Sequence, residues 1–331
     1  MKNIRIIQVG MGPLGIKIAN FIAERNGLET VAAIDKNPEL IGKDLSELPN
    51  CNTSGVTIVE NLAKAALDAK PDIAVLTTVS DMERVTTQVE EIVALGIPVV
   101  STCEELSFPW DEAPELAERM DNAAKNNNVA VVGTGVNPGF LMDALPTFLT
   151  AVCQRVETIQ VNRYQNAQYR RLPFQRKIGA GATLEEFEQR KQAGSLRHVG
   201  LTESMQFIAH RMGWKLDKTE DIIEPVVADS DLRTKDLHIK AGQARGVCQT
   251  GNGYVRGELK IKLVFQATVG EPESYDEIII AGNPNINSRI AGGVNGDVAT
   301  CAIVLNAIPQ VLRAQPGLQT MADIPLVSFF G

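Results

Sequence analysis

The sequence predicts an α/β fold: a doubly wound parallel sheet first, then an α+β domain with a mainly antiparallel sheet. Three observations predict it. Short β-branched runs alternate with helix-patterned segments up to residue 136. A glycine-rich turn joins the first run to the first helix. Beyond residue 136 the alternation gives way to several strand-like runs set close together.

Ile4 to Val9 reads as a buried strand that stops at glycine, and Ile16 to Glu24 as the helix after it, ended by Gly27. Thr30 to Asp35 is the second strand. Asn61 to Ala69, Met82 to Leu95 and Glu112 to Asn127 read as helices. Asp72 to Thr77, Pro98 to Thr102 and Val129 to Val132 read as the strands between them. Later, Thr158 to Tyr164 looks like a strand. Thr183 with Glu186 three residues on has capping-box spacing and opens a helix to Ala193. Thr202 to Met212 is a helix closed by Gly213. Ile222 to Ala228, Leu237 to Ala241, Gly257 to Val269 and Glu277 to Ala281 read as strands, and Asp297 to Ala314 as a last helix. The expected layout is a nucleotide domain over 1–136, a substrate and dimerisation domain over 137–295, and a segment 296–331 that packs back on the first.

Composition narrows the function. The chain has 331 residues, 44% hydrophobic and 22% charged, which excludes a disordered or fibrous protein. A net charge of −8 argues against a nucleic-acid partner or an anionic membrane surface. No apolar run reaches the roughly 18–20 residues of a membrane span. Five scattered cysteines without a CxxC pair suggest neither a disulfide framework nor a metal site, and a reduced, cytoplasmic protein is expected.

Gly10-Met11-Gly12-Pro13-Leu14-Gly15 has the GxGxxG spacing of a Rossmann dinucleotide site, with a strand before it and a helix after. The glycines allow a tight turn, close approach of a pyrophosphate and close helix–strand packing. The helix N-terminus supplies N–H groups and a positive dipole end. Asp35, 20 positions after Gly15, is placed to accept from the adenosine ribose hydroxyls. It favours NAD, and Lys36 beside it admits NADP as well. Thr77 and Thr78 end a later strand and suit contact with the nicotinamide half, where Thr is also simply a good strand-end residue; Thr102 is a further cofactor-binding candidate.

Val99 to Thr102 runs into Cys103-Glu104-Glu105. A carboxylate at such a strand end borders the cofactor crevice and suits general base work. Adjacent side chains point apart, so at most one of Glu104 and Glu105 is the expected base; the alternative is that one or both cap the following segment in solvent. Cys103 reads as a buried structural thiol.

These segments resemble the 2,4-diaminopentanoate dehydrogenase family and the related native amine dehydrogenases, distant relatives of dihydrodipicolinate reductase. The resemblance rests on Gly10 to Gly15, Ser101 to Glu105, Gly133-Thr134-Gly135-Val136-Asn137-Pro138-Gly139-Phe140, Leu172 to Gly181, Arg197 to Ser204, and Gly296 to Thr300. It covers nearly the whole chain. It implies reversible NAD(P)-dependent oxidation of an amine on a secondary carbon to a ketone and ammonia, with a strand-end glutamate deprotonating the amine. That role falls on Glu104 in preference to Glu105. The resemblance also supports a homodimer. The His-His-x-x-x-Lys and Lys-x-Asp-Ala-Pro-Ser-Gly runs of dihydrodipicolinate reductase are missing, which argues against its reaction.

The residues after Gly133 offer further contacts. Asn137 is a candidate for the carboxamide or the substrate, or a turn residue before proline. Phe140 and Met142 are candidate apolar walls, or ordinary core. A substrate carboxylate needs a cation, and Arg163, Arg170, Arg171, Arg176, Lys177 and Arg197 are the candidates, Arg163 and Arg176 foremost. His198 is a candidate for proton transfer or structure, and Thr300 for the crevice. The expected substrate is a small aliphatic amine or 2,4-diaminopentanoate, without a metal. A cyclic-imine reductase and a non-catalytic NAD(P) sensor are the competing readings.

Overall fold

The computed structural model describes residues 3–170 and 172–331. Strand β1 (Ile4–Val9) passes through the glycine turn into α1 (Pro13–Ala23), and β2 (Leu28–Ile34) returns beside β1. The chain continues with β3 (Ile58–Val59), α2 (Leu62–Ala69), β4 (Ile73–Leu76), α3 (Met82–Val93), β5 (Val99–Ser101), α4 (Pro114–Asn126) and β6 (Ala130–Gly133). Next come α5 (Ala144–Leu149), β7 (Arg155–Asn166), α6 (Leu172–Lys177), α7 (Leu184–Gln192) and α8 (Leu201–Met212). Strands β8 (Lys218–Val227), β9 (Leu232–Arg233), β10 (His238–Ile239), β11 (Ala244–Val255), β12 (Glu258–Thr268), β13 (Tyr275–Asn283) and β14 (Ile286–Ala291) follow, then α9 (Gly296–Val311) and β15 (Gly317–Gln319).

Two compact units result: residues 1–140 with 295–331, and residues 141–294. The first break falls after Phe140, past the expected Val136. The reason is local: the Val136 N–H donates to Thr300 Oγ1 at 3.2 Å, which ties that loop to α9.

The first unit is a seven-stranded sheet in the order β15-β6-β5-β4-β1-β2-β3, parallel at every pairing. Its strands are buried on both faces, as parallel sheets require. Ile6, Val75, Val100 and Val132 pack with α1 and α9 through Ile18, Ile22, Val304 and Ile308. Ile7, Leu76, Val99 and Val131 pack on the other side with Val85, Val89, Ala117 and Met120 of α3 and α4. Each fully buried Val, Ile, Leu or Met among them contributes on the order of 1.5–3 kcal/mol. Helix α9 therefore completes the core of a unit that the chain had already left. The order reverses between β1 and β4, so the glycine turn after β1 opens beside the end of β4, at the switch point where such sheets bind ligands.

The second unit is a six-stranded sheet, β14-β13-β7-β12-β11-β8, antiparallel except for the β7–β12 pair. On one face Ile223, Val247 and Phe265 join Phe187 and Leu196 in the core. On the other, Ile222, Thr250, Val264, Asn162 and Glu277 lie in one cross-strand row. The capping box of Thr183 and Glu186 forms at α7, and Gly213 closes α8 in the left-handed region.

Several elements were not expected. Strand β11 has no β-branched run, and Gly246, Gly251 and Gly253 interrupt it; pairing on both sides holds it. A Cβ at Gly251 would sit 3.1 Å from Leu201 and from Met205, so glycine there lets α8 lie close. Strands β3, β14 and β15 and helices α5 and α6 are short, and tertiary contacts rather than local pattern define them. No helix among the described residues is long and apolar enough to cross a membrane.

Candidate functional site

The three turn glycines have different reasons. Gly10 lies at φ +94°, and a Cβ there would stand 2.8 Å from the Thr77 carbonyl oxygen. A Cβ on Gly15 would stand 2.0 Å from the Gly10 carbonyl oxygen. Both are explained by packing. Gly12 has φ −70°, open to any residue, and a Cβ there would meet nothing within 4 Å. It leaves open space at the N-terminus of α1, where Pro13 takes the first helical position. The opening and the first-turn N–H groups of Leu14 and Gly15 fit a pyrophosphate.

Beside the turn lies a cavity of about 850 Å³, lined by Gly10, Met11 and Gly12, by Asp35 and Lys36, and by Thr77 and Thr78 among others. Asp35 Oδ2 accepts from the Met11 N–H at 2.7 Å, and Oδ1 from the Asn37 N–H at 2.8 Å. Its carboxylate thus ties the end of β2 to the glycine turn. The Met11 side chain is core, so its backbone alone belongs to the site. Lys36 is exposed at the rim, while Glu60 and Glu91 add two carboxylates to the lining.

Thr77 serves the turn. Its hydroxyl donates to the Gly10 carbonyl at 2.9 Å and accepts from Gln8 Nε2 at 2.9 Å. The exposed Thr78 hydroxyl pairs with Gln88. Sequence reasoning passed over Gln8, a polar residue inside an apolar strand; that contrast was its only signal.

Strand β5 ends at Ser101, and the Thr102 N–H donates to Leu76 O at 3.1 Å. Cys103 is 1% exposed, and burial pushes its thiol far above the ordinary range, so it stays protonated. The two carboxylates part. Glu105 Oε2 accepts the Met82 N–H at 2.8 Å and helps close the N-terminus of α3, where Asp81 accepts from the Arg84 N–H at 3.0 Å. The Glu104 carbonyl takes the Ser107 N–H at 3.1 Å and hydroxyl at 2.8 Å, which starts a 3₁₀ turn; its side chain is half-buried.

The loop after β6 is compact. The Thr134 N–H donates to Ser101 O at 2.8 Å, and a Cβ on Gly133 would lie 2.6 Å from Leu106. Thr300 accepts from Val136, so it supports the loop that carries Asn137. Asn137 and Phe140 are half-buried.

In the second unit Met142 is fully buried. Arg163 is 3% exposed; its Nη1 lies 3.6 Å from Asp276 Oδ1, and its Nη2 donates to Val294 O at 3.0 Å. This use of its charge is internal, which argues against the anion clamp expected of it. Arg197 Nε pairs with Asp221 at 3.1 Å, and Arg170 lies over the Phe174 ring at 4.4 Å. Arg176 and Lys177 are exposed at the end of α6, and Arg171 lies outside the described residues. The His198 ring meets Val199 O through Nδ1 at 2.9 Å and packs edge-on to Phe265. Burial holds its imidazole down to about 4, so it is neutral near pH 7 and unsuited to proton transfer there. No group of three or more His, Cys, Asp or Glu among the described residues is arranged to hold a metal ion.

Comparison with known proteins fits this geometry. The profile of the 2,4-diaminopentanoate dehydrogenase C-terminal domain matches residues 140–330, and that of a CoA binding domain matches residues 1–105. The chain is 34% identical to a 2,4-diaminopentanoate dehydrogenase of Acetoanaerobium sticklandii, over 98% of this chain and 94% of that protein. It is 22% identical to an amine dehydrogenase of Streptomyces virginiae, over 96% of this chain and 95% of that protein. The solved amine dehydrogenase of Mycobacterium smegmatis superposes with a TM-score of 0.84 at 22% identity, over 99% of this chain and 98% of that one.

Proposed function

The chain belongs to the 2,4-diaminopentanoate dehydrogenase family and is an oxidoreductase acting on amines, and from that premise we propose that it deaminates 2,4-diaminopentanoate, or a close aliphatic amine, at a secondary carbon. Overall, the protonated amine, oxidised NAD and water give the ketone, NADH, an ammonium ion and one proton, and the reaction runs in reverse as reductive amination. The observation that carries the reading is the placement of a strand-end carboxylate, Glu104, on the same sheet edge as the glycine turn and its cavity.

A nicotinamide dinucleotide would be held by Gly10 to Gly15, Asp35, Thr78, Thr102 and Asn137, and when bound it supplies the hydride acceptor or donor. The rest is the protein's work. An ammonium has no lone pair and cannot expel a hydride, so a base must first take a proton. Glu104 is the base we assign, the position on which the family resemblance puts that role, while Glu105 Oε2 accepts the Met82 N–H at the start of α3. The same carboxylate can return protons as water adds and ammonia leaves. Half-burial of Glu104 keeps part of the bulk water from it. Half-buried Phe140 supplies apolar surface, whereas fully buried Met142 serves the core.

NAD is the preferred dinucleotide. A 2′-phosphate in the cavity would meet Asp35, Glu60 and Glu91 against Lys36, the one cation of the lining among the described residues, so NADP is the weaker alternative. The open face of the second sheet, where Ile222 is 40% exposed, supports a homodimer formed there. The deciding experiment follows NADH and NADPH oxidation with concentrated ammonia and 2-amino-4-oxopentanoate, cyclohexanone or simple ketones. Ammonia-dependent turnover, best with 2-amino-4-oxopentanoate and NADH, is expected. Cofactor binding without turnover on any carbonyl would refute the amine reading over this panel.

A further inference from the structure

We propose that Gln8 and Thr77 are positioning residues for the cofactor: they fix the orientation of the Gly10–Met11 peptide and, through it, the Asp35 carboxylate that receives the adenosine ribose. The inference rests on the dinucleotide reading above.

That peptide group is held at both ends. Its carbonyl oxygen accepts from Thr77 Oγ1 at 2.9 Å and from Gln8 Nε2 at 3.2 Å. Its N–H donates to Asp35 Oδ2 at 2.7 Å, while Asp35 Oδ1 accepts from the Asn37 N–H at 2.8 Å. Gln8 Nε2 also donates to Thr77 Oγ1 at 2.9 Å, so its two hydrogens are divided between hydroxyl and carbonyl. The Gly10 carbonyl can only accept, which requires the nitrogen of the Gln8 amide, not its oxygen, to face the turn.

Glycine at φ +94° makes such a lock necessary. A residue without a Cβ lets the following peptide rotate at little steric cost. Turned over, the peptide would aim its carbonyl at the Asp35 carboxylate and displace it. Three hydrogen bonds oppose that rotation.

Gln8 itself is an unusual residue to bury. It is fully inaccessible in an interior strand of the sheet, and its Oε1 has no hydrogen-bond partner among the described residues. A buried amide satisfied on one side only serves stability less well than an apolar side chain of equal length. What the amide provides is two donors of fixed direction, and both end on the turn and the threonine that braces it.

The test measures binding of NADH and of ADP-ribose by titration calorimetry or fluorescence. Gln8→Met keeps the stem and removes the donors. We expect both Kd values to rise roughly tenfold or more, the loss of one to two buried hydrogen bonds. kcat at saturating NADH should stay within a few-fold, a split that general damage to the fold would not give. Thr77→Val should weaken ADP-ribose in the same way, and Thr77→Ser, which keeps the hydroxyl, should restore it. If Gln8→Met does not fold, the Thr77 pair decides. Unchanged ADP-ribose binding in Gln8→Met and Thr77→Val, or Thr77→Ser as weak as Thr77→Val, overturns the proposal. A wild-type chain that binds neither NADH nor NADPH overturns the dinucleotide reading, and this proposal with it.

Discussion

Glu105 Oε2 lies 2.8 Å from the backbone nitrogen of Met82, so the second carboxylate of an adjacent pair closes a helix while the base is assigned to the first. The two should separate in mutagenesis. Glu105→Ala removes a helix-terminal acceptor and should lower stability by about 1 kcal/mol, with kcat changed only a few-fold. Glu104→Gln should bind NADH normally and lose about 10²–10⁴-fold in deamination. Thermal melts and steady-state rates on both variants settle it; the reverse pattern would move the base to Glu105.

Gly12 and Gly15 make a second pair with opposite expectations. A Cβ at Gly12 meets nothing within 4 Å, whereas one at Gly15 lies 2.0 Å from the Gly10 carbonyl oxygen. Gly12→Ala should cost under about 1 kcal/mol in stability, as an N-cap change. Its NADH Kd should nevertheless rise about tenfold or more, because the methyl enters the space meant for the pyrophosphate. Gly15→Ala should destabilise the fold itself by about 1–3 kcal/mol. A Gly12→Ala variant that binds NADH like wild type would remove the pyrophosphate from this opening.

These glycines also show how far the sequence could be read. Gly10-x-Gly12-x-x-Gly15 with Asp35 at the next strand end located the turn, because local spacing alone dictates it. The pairing of Glu105 with Met82 spans 23 residues and could not be read from either segment. Arg163 looked like an anion clamp because its partner Asp276 lies far along the chain, on a strand paired to its own. Strand β15 was missed because three residues, one of them glycine, carry no pattern; β6 supplies the pairing that makes Gly317–Gln319 a strand. Gln8 was hidden inside an apolar run, and only the fold shows that its amide ends on the turn.

The Arg163–Asp276 pair gives a third prediction. The side chains are 4% and 5% exposed, and both groups also bind Val294, through its carbonyl at 3.0 Å and its N–H at 2.7 Å. Arg163→Met leaves a buried carboxylate without its cation and should cost about 3–5 kcal/mol. Adding Asp276→Leu should return part of that loss, since an apolar pair replaces a lone charge. Urea unfolding of both single variants and the double variant measures the coupling; strict additivity would mean that the charges do not interact.

His198 gives the pH dependence. Burial lowers its imidazole from the ordinary 6.5 to about 4, with the nearby charges of Arg163 and Lys177 acting in the same direction and the Val199 carbonyl opposing them. The unfolded chain therefore binds a proton at His198 at a higher pH than the folded chain does. Its contribution to stability is fully present above pH 6.5 and is lost as the pH falls through about 4, up to roughly 3 kcal/mol in all. In His198→Asn that dependence should flatten between pH 4 and 6.5, at some cost in stability at neutral pH from the lost contact with Phe265. Above pH 7 the kcat profile should keep its shape, because a ring already neutral there gives up no proton. Melting temperatures across about pH 4–7.5, together with rates above pH 7, test both halves; a shifted kcat profile in the variant would return His198 to the proton path.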